Sequence, residues 1–153
     1  MKLFKYIIVF AIINFGALAI GNWLMNNGPQ ETWYLSLNKA PWTPPGWVFG
    51  AAWFTIMACF SIYMAYLYKD AFSSKVQGLF IIQFVLNVSW NYIFFNQHLV
   101  GLGLVVIMGL TATIAFFLND YKKQLKFKTV LVLPYLIWLC VATSLNMYIL
   151  IHN

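Results

Sequence analysis

The sequence predicts an all-α membrane protein, a five-transmembrane-helix bundle with an ordered extracytoplasmic first loop, forming a single integral membrane domain over residues 1–153. Three observations carry that prediction. Five long apolar runs are free of charged residues, the lysines gather in alternate connections, and the first connection is dense in tryptophan and proline. With 63% apolar and 8% charged residues the chain does not have the composition of a water-soluble globule.

Each run approaches or exceeds the roughly 20 residues a helix needs to cross about 30 Å of hydrocarbon at about 1.5 Å per residue. The first span covers about 6–25. It contains Ala17-Leu18-Ala19, which resembles a signal peptidase site, but the apolar run continues to Met25 and is read as a retained span. The second, about 46–68, opens just after Pro44 and Pro45, where a first helical turn has no use for the missing N–H groups, with Thr43 as its expected N-cap. The third and fourth, about 76–96 and about 99–118, are separated only by Asn96-Gln97-His98, so they should be adjacent and antiparallel. The fifth covers about 129–151. Continuous apolarity, in place of alternation, excludes barrel strands, and a lipid-facing backbone must then satisfy itself as helix. No internal repeat or low-complexity linker divides the chain.

The lysines sort by side. With five spans, the N-terminus and the second and fourth loops share one side, and they hold Lys2, Lys5, Lys69, Lys75, Lys122, Lys123, Lys126 and Lys128; the other side holds only Lys39. The chain has no arginine. This positive-inside pattern places the N-terminus in the cytoplasm and the C-terminus and first loop outside. A lysine-only, loop-poor chain of this kind fits a bacterial plasma membrane. The net charge of +6 does not point to nucleic acid, because the lysines follow membrane topology; their natural partners are anionic headgroups of the lipid bilayer.

The stretch WYLSLNKAPWTPPGWVFG, residues 33 to 50, joins an aromatic, proline-stiffened loop directly to the second span. Trp33, Trp42, Trp47 and Trp53 lie near the membrane edge, where amphipathic rings settle. Pro41, Pro44 and Pro45 fix φ and favour an ordered lid over a floppy tether. Gly46 and Gly50 give the new helix a smooth face for another helix or a flat ligand. An interfacial anchor with a helix start is the alternative reading of the same residues.

Polar residues inside spans mark the remaining places of interest, because hydrocarbon penalises them unless they are paired. Gln83, Asn87 and Asn91 form an amide stripe on the third span, with Trp90 beside it. Asn14 and Asn22 share a face of the first span, Gly46, Gly50, Trp53 and Met57 a face of the second, and Pro134, Trp138, Ala142 and Asn146 a face of the fifth. Side by side these faces would build an aromatic pocket open toward the lid; taken singly, each amide also serves as interhelical glue. Asn87-Val88-Ser89 fits a glycosylation pattern but lies in mid-membrane. Cys59 and Cys140, both within spans, are read as packing residues. His98 and His152 are not grouped with carboxylates or cysteines, so no metal site is expected. No span carries a carboxylate, which leaves acid–base or triad catalysis almost without candidates and a proton relay without titratable groups.

The run WYLSLNKAPWTPPGWVFGAAW resembles the signature of the translocator protein family, also called tryptophan-rich sensory proteins, TspO/MBR or peripheral-type benzodiazepine receptors. LNVSWNYIFF at 86–95 resembles that family's third-span motif and LPYLIWLCVATSLN at 133–146 its fifth-span motif, in order and at fitting distances. The resemblance implies a five-helix bundle, commonly a homodimer, with a pocket beneath the first loop for porphyrins such as protoporphyrin IX and certain synthetic aromatic ligands. By position, Trp53 and Trp138 match two pocket tryptophans, Asn87 the third-span amide, and Ala142 a small residue against which ligand or helix packs. Trp42, Pro44, Pro45 and Gly46 match the lid and helix start. Bacterial members have been linked to light-dependent breakdown of bound porphyrin through their tryptophans. The short cholesterol-recognition motif of some members is missing, since Tyr148 is followed by Ile149, Leu150, Ile151, His152 and Asn153 with no Lys or Arg.

The function expected on these grounds is a membrane receptor or sensor. It would take a flat, apolar tetrapyrrole between its second, third and fifth spans, beside Trp90, and close the first loop over it. Trp53 and Trp138 would stack on the macrocycle, Asn87 would donate to a polar edge, and Lys39 would meet a propionate, although a snorkelling interfacial lysine explains Lys39 equally well. Porphyrin is the ligand or substrate, and no further cofactor is required. Two other classes compete: a porphyrin-degrading enzyme using light and oxygen, with Trp53 and Trp138 as its catalytic residues, and a transporter of tetrapyrroles or lipids, for which repeated halves and broken helices are not apparent.

Overall fold

A computed structural model describes residues 2–153 and is helical throughout, with no strand among the described residues. The long helices are α1 (Lys2–Leu24), α3 (Gly46–Ala71), α4 (Ser74–Asn91), α5 (Val100–Leu125) and α6 (Leu133–His152), and α2 (Thr32–Ser36) is a single short turn in the first loop. The run Val100–His152 is helical over 53 residues and folds back on itself, so α5 and α6 pack as a hairpin. With α1, α3 and α4 this gives five helices arranged to cross a membrane. α1 runs unbroken through Ala17-Leu18-Ala19.

Around the bundle the neighbours run α3, α1, α4, α5, α6, with α6 closing back onto α3 through the sparsest of these seams. The core is aromatic and lies toward one end. Phe60, Tyr63, Phe117 and Tyr135 are buried together, with Phe60 edge-on to Tyr135 at 5.2 Å and Tyr63 edge-on to Phe117 at 6.1 Å. Such pairs each add about 0.5–1.5 kcal/mol beyond area burial. The Tyr63 hydroxyl donates to the Phe117 carbonyl at 2.9 Å, so its polar end is satisfied in the core. Large apolar side chains such as Phe4, Ile12, Phe54, Val105, Phe116 and Ile137 point outward, as a bundle solvated by lipid requires.

The two ends differ in chemistry. At one, Lys75 pairs with Asp120, and Lys128 reaches Asp70 at 3.3 Å while lying 4.1 Å over the Tyr66 ring. The hydrogen bond and charge of Asp120 push the Lys75 ammonium above its ordinary pKa, but the lysine is fully exposed. Exposed pairs of this kind align loops more than they stabilise them. The opposite end is tied by amides. Asn38 N–H donates to Asn153 Oδ1 at 2.8 Å, Asn153 Nδ2 donates to the Asn38 carbonyl at 3.2 Å, and Asn96 Nδ2 donates to the Leu24 carbonyl at 3.2 Å. The expected sorting of lysine-rich connections to one end is thus present.

Several local expectations are corrected. Thr43 does not cap α3: its hydroxyl and N–H both turn back to the Ala40 carbonyl, at 2.7 and 2.9 Å, and Pro45, extended at φ −56° and ψ 149°, occupies the cap position. The two prolines extend the chain just where a capping side chain would have to fold back. The fifth helix starts at Leu133 rather than 129, because Lys126–Val132 is a 3₁₀ segment entered through Lys126 at φ 52°. The third span ends in a π-helical turn, Tyr92–Asn96, before His98 at φ 56° reverses the chain. Cys59 is half-buried, but Cys140 is exposed on the outer face and is not a packing residue within the chain. α4 does start on a side-chain cap, with Ser73 Oγ accepting from Val76 N–H at 3.2 Å.

Candidate functional site

A cavity of about 1050 Å³ lies beneath the first loop, walled by α1, α3, α4 and α6. Helical spacing builds its α3 wall: Gly46, Phe49, Gly50 and Trp53 follow one another on a single face. A Cβ placed on Gly46 or Gly50 would meet no atom within 4 Å, so no helix of this chain lies on the smooth face and it opens into the cavity instead. Met57, one turn further on, leaves that face's cavity and is 1% exposed in the core.

Opposite, α6 presents Trp138 and Ala142. Trp138 is 9% exposed and meets Phe49 edge-on at 5.2 Å; its indole Nε1 is buried with no hydrogen-bond partner among the described residues. Trp53 stands edge-on to Tyr135 at 6.0 Å, which fixes its ring from below. The small Ala142 leaves space beside Trp138 where a longer side chain would fill it. Pro134, placed by spacing on the same α6 face, lines the outer surface of the bundle and not this cavity.

The amides of the third span divide by role. Gln83 is 2% exposed and accepts from the Tyr135 hydroxyl at 3.2 Å, so it fastens α4 to α6. Asn91 lines the cavity but spends its Nδ2 on the Asn87 carbonyl at 3.1 Å. Asn87 also lines the cavity, 6% exposed, and none of the side-chain hydrogen bonds of the described residues engages its amide group. On α1, Asn14 is buried glue, donating to Ser61 Oγ at 2.9 Å, whereas Asn22 lines the cavity. Trp90 Nε1 donates to Asn146 Oδ1 at 3.2 Å, which holds the Trp90 ring against the wall.

The roof is the first loop. Lys39 Nζ donates to the Leu35 carbonyl at 3.3 Å and lies 4.9 Å from the centre of the Tyr34 ring, and burial pushes the Tyr34 phenol above its ordinary pKa. Trp33 stacks on His98 at 4.0 Å, with His98 Nε2 3.6 Å from Glu31, which ties the roof to the connection between α4 and α5. The Asn38 and Asn153 bonds tie it to the end of α6.

Of the residues singled out by sequence, Lys39, Pro44, Gly46, Trp53, Asn87, Trp90, Trp138 and Ala142 all line this one cavity. Trp42 and Pro45 do not. Trp42 is 54% exposed, with Nε1 donating to Ser144 Oγ at 3.2 Å, so it buttresses the roof from outside, and Pro45 serves as the cap of α3. α1 supplies a full wall through Phe15, Leu18, Asn22 and Met25, wider than the three-span site expected. Phe49 was not singled out either, although its spacing from Gly46 and Trp53 carried the signal. Lys39 is the single charged side chain among the lining residues, and no group of three metal-ligating side chains occurs among the described residues. With aromatic and small apolar walls, amides at Asn22, Asn87 and Asn91, and polar side chains at Asn26, Asn27 and Gln30, the surface is suited to holding a broad, largely apolar molecule that also carries polar groups.

A family model described as the TspO/MBR family matches residues 8–152. A tryptophan-rich protein TspO from Archaeoglobus fulgidus is 33% identical over 80% of this chain and 81% of that protein. A tryptophan-rich sensory protein from Cereibacter sphaeroides is 31% identical over 77% of this chain and 74% of its own length. A translocator protein from Homo sapiens is 31% identical over 78% of this chain and 74% of its length.

Proposed function

This chain belongs to the TspO/MBR family of multi-pass membrane proteins, and on that premise we propose that it is a receptor or sensor for porphyrins and related flat hydrophobic molecules, bound in the cavity under the first loop. The observation that carries the proposal is the convergence of Trp53, Trp138 and an unengaged Asn87 amide on one cavity of about 1050 Å³. The indoles of Trp53 and Trp138 supply faces and edges for a macrocycle. Asn87 supplies a hydrogen-bond donor at its rim. Lys39, at the roof, is positioned to meet a carboxylate of the ligand at the membrane surface. α1 completes the enclosure, so the ligand lies among four helices.

The lysine distribution supports an orientation with the N-terminus cytoplasmic and the roof outside, in a bacterial plasma membrane. In that setting the ligand reaches the roof from the outer side and the lysine-rich end faces the cytoplasm.

Titration of the purified protein with protoporphyrin IX, followed by tryptophan fluorescence, tests the proposal. Binding should quench the signal saturably, and Trp138→Phe and Asn87→Ala should each weaken it. Unchanged affinity in both variants would remove this cavity as the site. Loss of the porphyrin absorption band on illumination in air, abolished by Trp53→Phe, would favour breakdown over sensing.

A further inference from the structure

A second depression lies back to back with the ligand cavity, on the outer face of the bundle at the α3/α6 seam. It has a volume of about 340 Å³ and is lined by Val48, Ala51, Thr55 and Ile56 of α3 and by Pro134, Ile137 and Trp138 of α6, among others. Trp138 is the partition, since it lines both spaces. We propose that this groove is a binding site for one acyl chain of a bilayer phospholipid, seated against the outer side of Trp138.

Four observations argue for that occupant. The groove lies within the apolar spans, and from Val48 to Ile56 it runs about 12 Å along α3 at about 1.5 Å per residue, most of the depth of one leaflet. Its lining is hydrocarbon apart from the Thr55 hydroxyl and the indole of Trp138, and Thr55 is already used, donating to the Ala51 carbonyl at 2.8 Å. A headgroup or water would therefore find only the acceptor side of the Thr55 hydroxyl, whereas a methylene chain strands no donor that is otherwise paired. The walls are stepped, small at Ala51 and Ala52 and larger at Ile137 and Trp138, which leaves an open depression along the sparsest seam of the bundle. Finally, Ala51, Thr55 and Ile137 are exposed, so the groove opens directly onto the surface that faces lipid.

The site is independent of what the inner cavity binds, but Trp138 links the two. A chain in the groove supports the ring that a ligand contacts from the other side.

The test uses the full-length protein in nanodiscs of phosphatidylcholine carrying bromine at mid-chain. Bromine quenches an indole only at contact, so Trp138 should contribute a quenched component that disappears in Trp138→Phe. The variant Ala51→Leu/Thr55→Leu fills the groove at two lipid-facing positions and retains every tryptophan. It should lose the same component, and so gives a reading even where Trp138→Phe folds poorly. Bromine quenching that is identical in wild type and in the filled variant would overturn the proposal. A second copy of the chain in the groove would overturn it differently: Trp138 would be unquenched in wild type, and filling the groove would convert dimers to monomers by mass measurement. Porphyrin titration is not part of this readout, so failure here and failure of the porphyrin proposal remain separate results.

Discussion

Trp90 on α4 and Asn146 on α6 are joined by a hydrogen bond of 3.2 Å, and the same Asn146 passes its own Nδ2 to the Val100 carbonyl at the start of α5, at 3.0 Å. One buried amide, 2% exposed, thereby fastens three helices at the level of the cavity wall. Gly103 makes this approach possible, because a Cβ there would come within 3.3 Å of both Asn146 Oδ1 and Phe94. Asn146→Leu should lower stability by about 1–2 kcal/mol, given that interhelical hydrogen bonds in membranes average roughly 0.6 kcal/mol and that two are lost. Thermal unfolding in detergent measures it, and a cycle with Trp90→Phe should show the two residues to be coupled. Strict additivity would mean that the bond carries no energy.

Gln83 and Asn87 are one helical turn apart and chemically alike, yet opposite outcomes are expected from the same change. Gln83→Leu strands the buried Tyr135 hydroxyl, at a cost of about 1–3 kcal/mol for an unsatisfied group. Asn87→Leu breaks no side-chain bond and should leave the unfolding temperature nearly unchanged, while weakening porphyrin binding about tenfold, equivalent to about 1.4 kcal/mol. Paired melting and titration of the two variants decides it. A destabilised Asn87→Leu would show that the amide is structural glue after all.

Gly21 on α1 faces Asn91 on α4 so closely that an added Cβ would sit 2.7 Å from Asn91 Nδ2. Gly21→Ala must therefore swing the Asn91 amide aside and break its bond to the Asn87 carbonyl. The expected cost is about 1 kcal/mol, one neutral hydrogen bond. Because Asn91 lines the cavity, the displaced amide should also alter ligand affinity. A variant that melts like wild type and binds like it would show that α1 and α4 separate freely at this point.

These pairs also show where the sequence was legible. The five spans and the lid could be read because apolar length and lysine sorting act through the bilayer, a solvent common to all membrane proteins. The α3 wall could be read because Gly46, Gly50 and Trp53 share a face by helical geometry alone. The roles of Gln83, Asn87 and Asn91 could not, since each depends on what another helix presents: Tyr135 to the first, open space to the second, and its own helix to the third. The start of α6 was invisible for a different reason. Lys126 adopts φ 52°, a conformation lysine seldom takes, with no glycine or asparagine to announce it. Thr43 misled because the cap rule considers the residue type, while Pro44 and Pro45 decide the backbone direction.

The roof over the cavity is held at the far end of α6 by Asn153, which accepts from Asn38 N–H at 2.8 Å and donates to the Asn38 carbonyl at 3.2 Å. A second tie, from Asn38 Nδ2 to the His152 carbonyl at 3.2 Å, uses the same roof residue. All are exposed, so each contributes little to global stability, but all must break before the loop lifts away from α6. Asn153→Ala removes the two bonds its side chain shares with Asn38, together with the one it donates to the Ile149 carbonyl of α6 at 2.9 Å; each is worth about 0.5–1.5 kcal/mol at most, and exposed bonds fall at the low end. It should therefore raise the porphyrin dissociation rate several-fold, up to about tenfold, and leave the melting temperature within a degree or two. Asn38→Ala, which spares the bond made by its backbone N–H, should give a smaller increase. Stopped-flow displacement of bound porphyrin measures both. Equal dissociation rates in wild type and Asn153→Ala would show that the ligand leaves without lifting the roof, and so by a route between the helices.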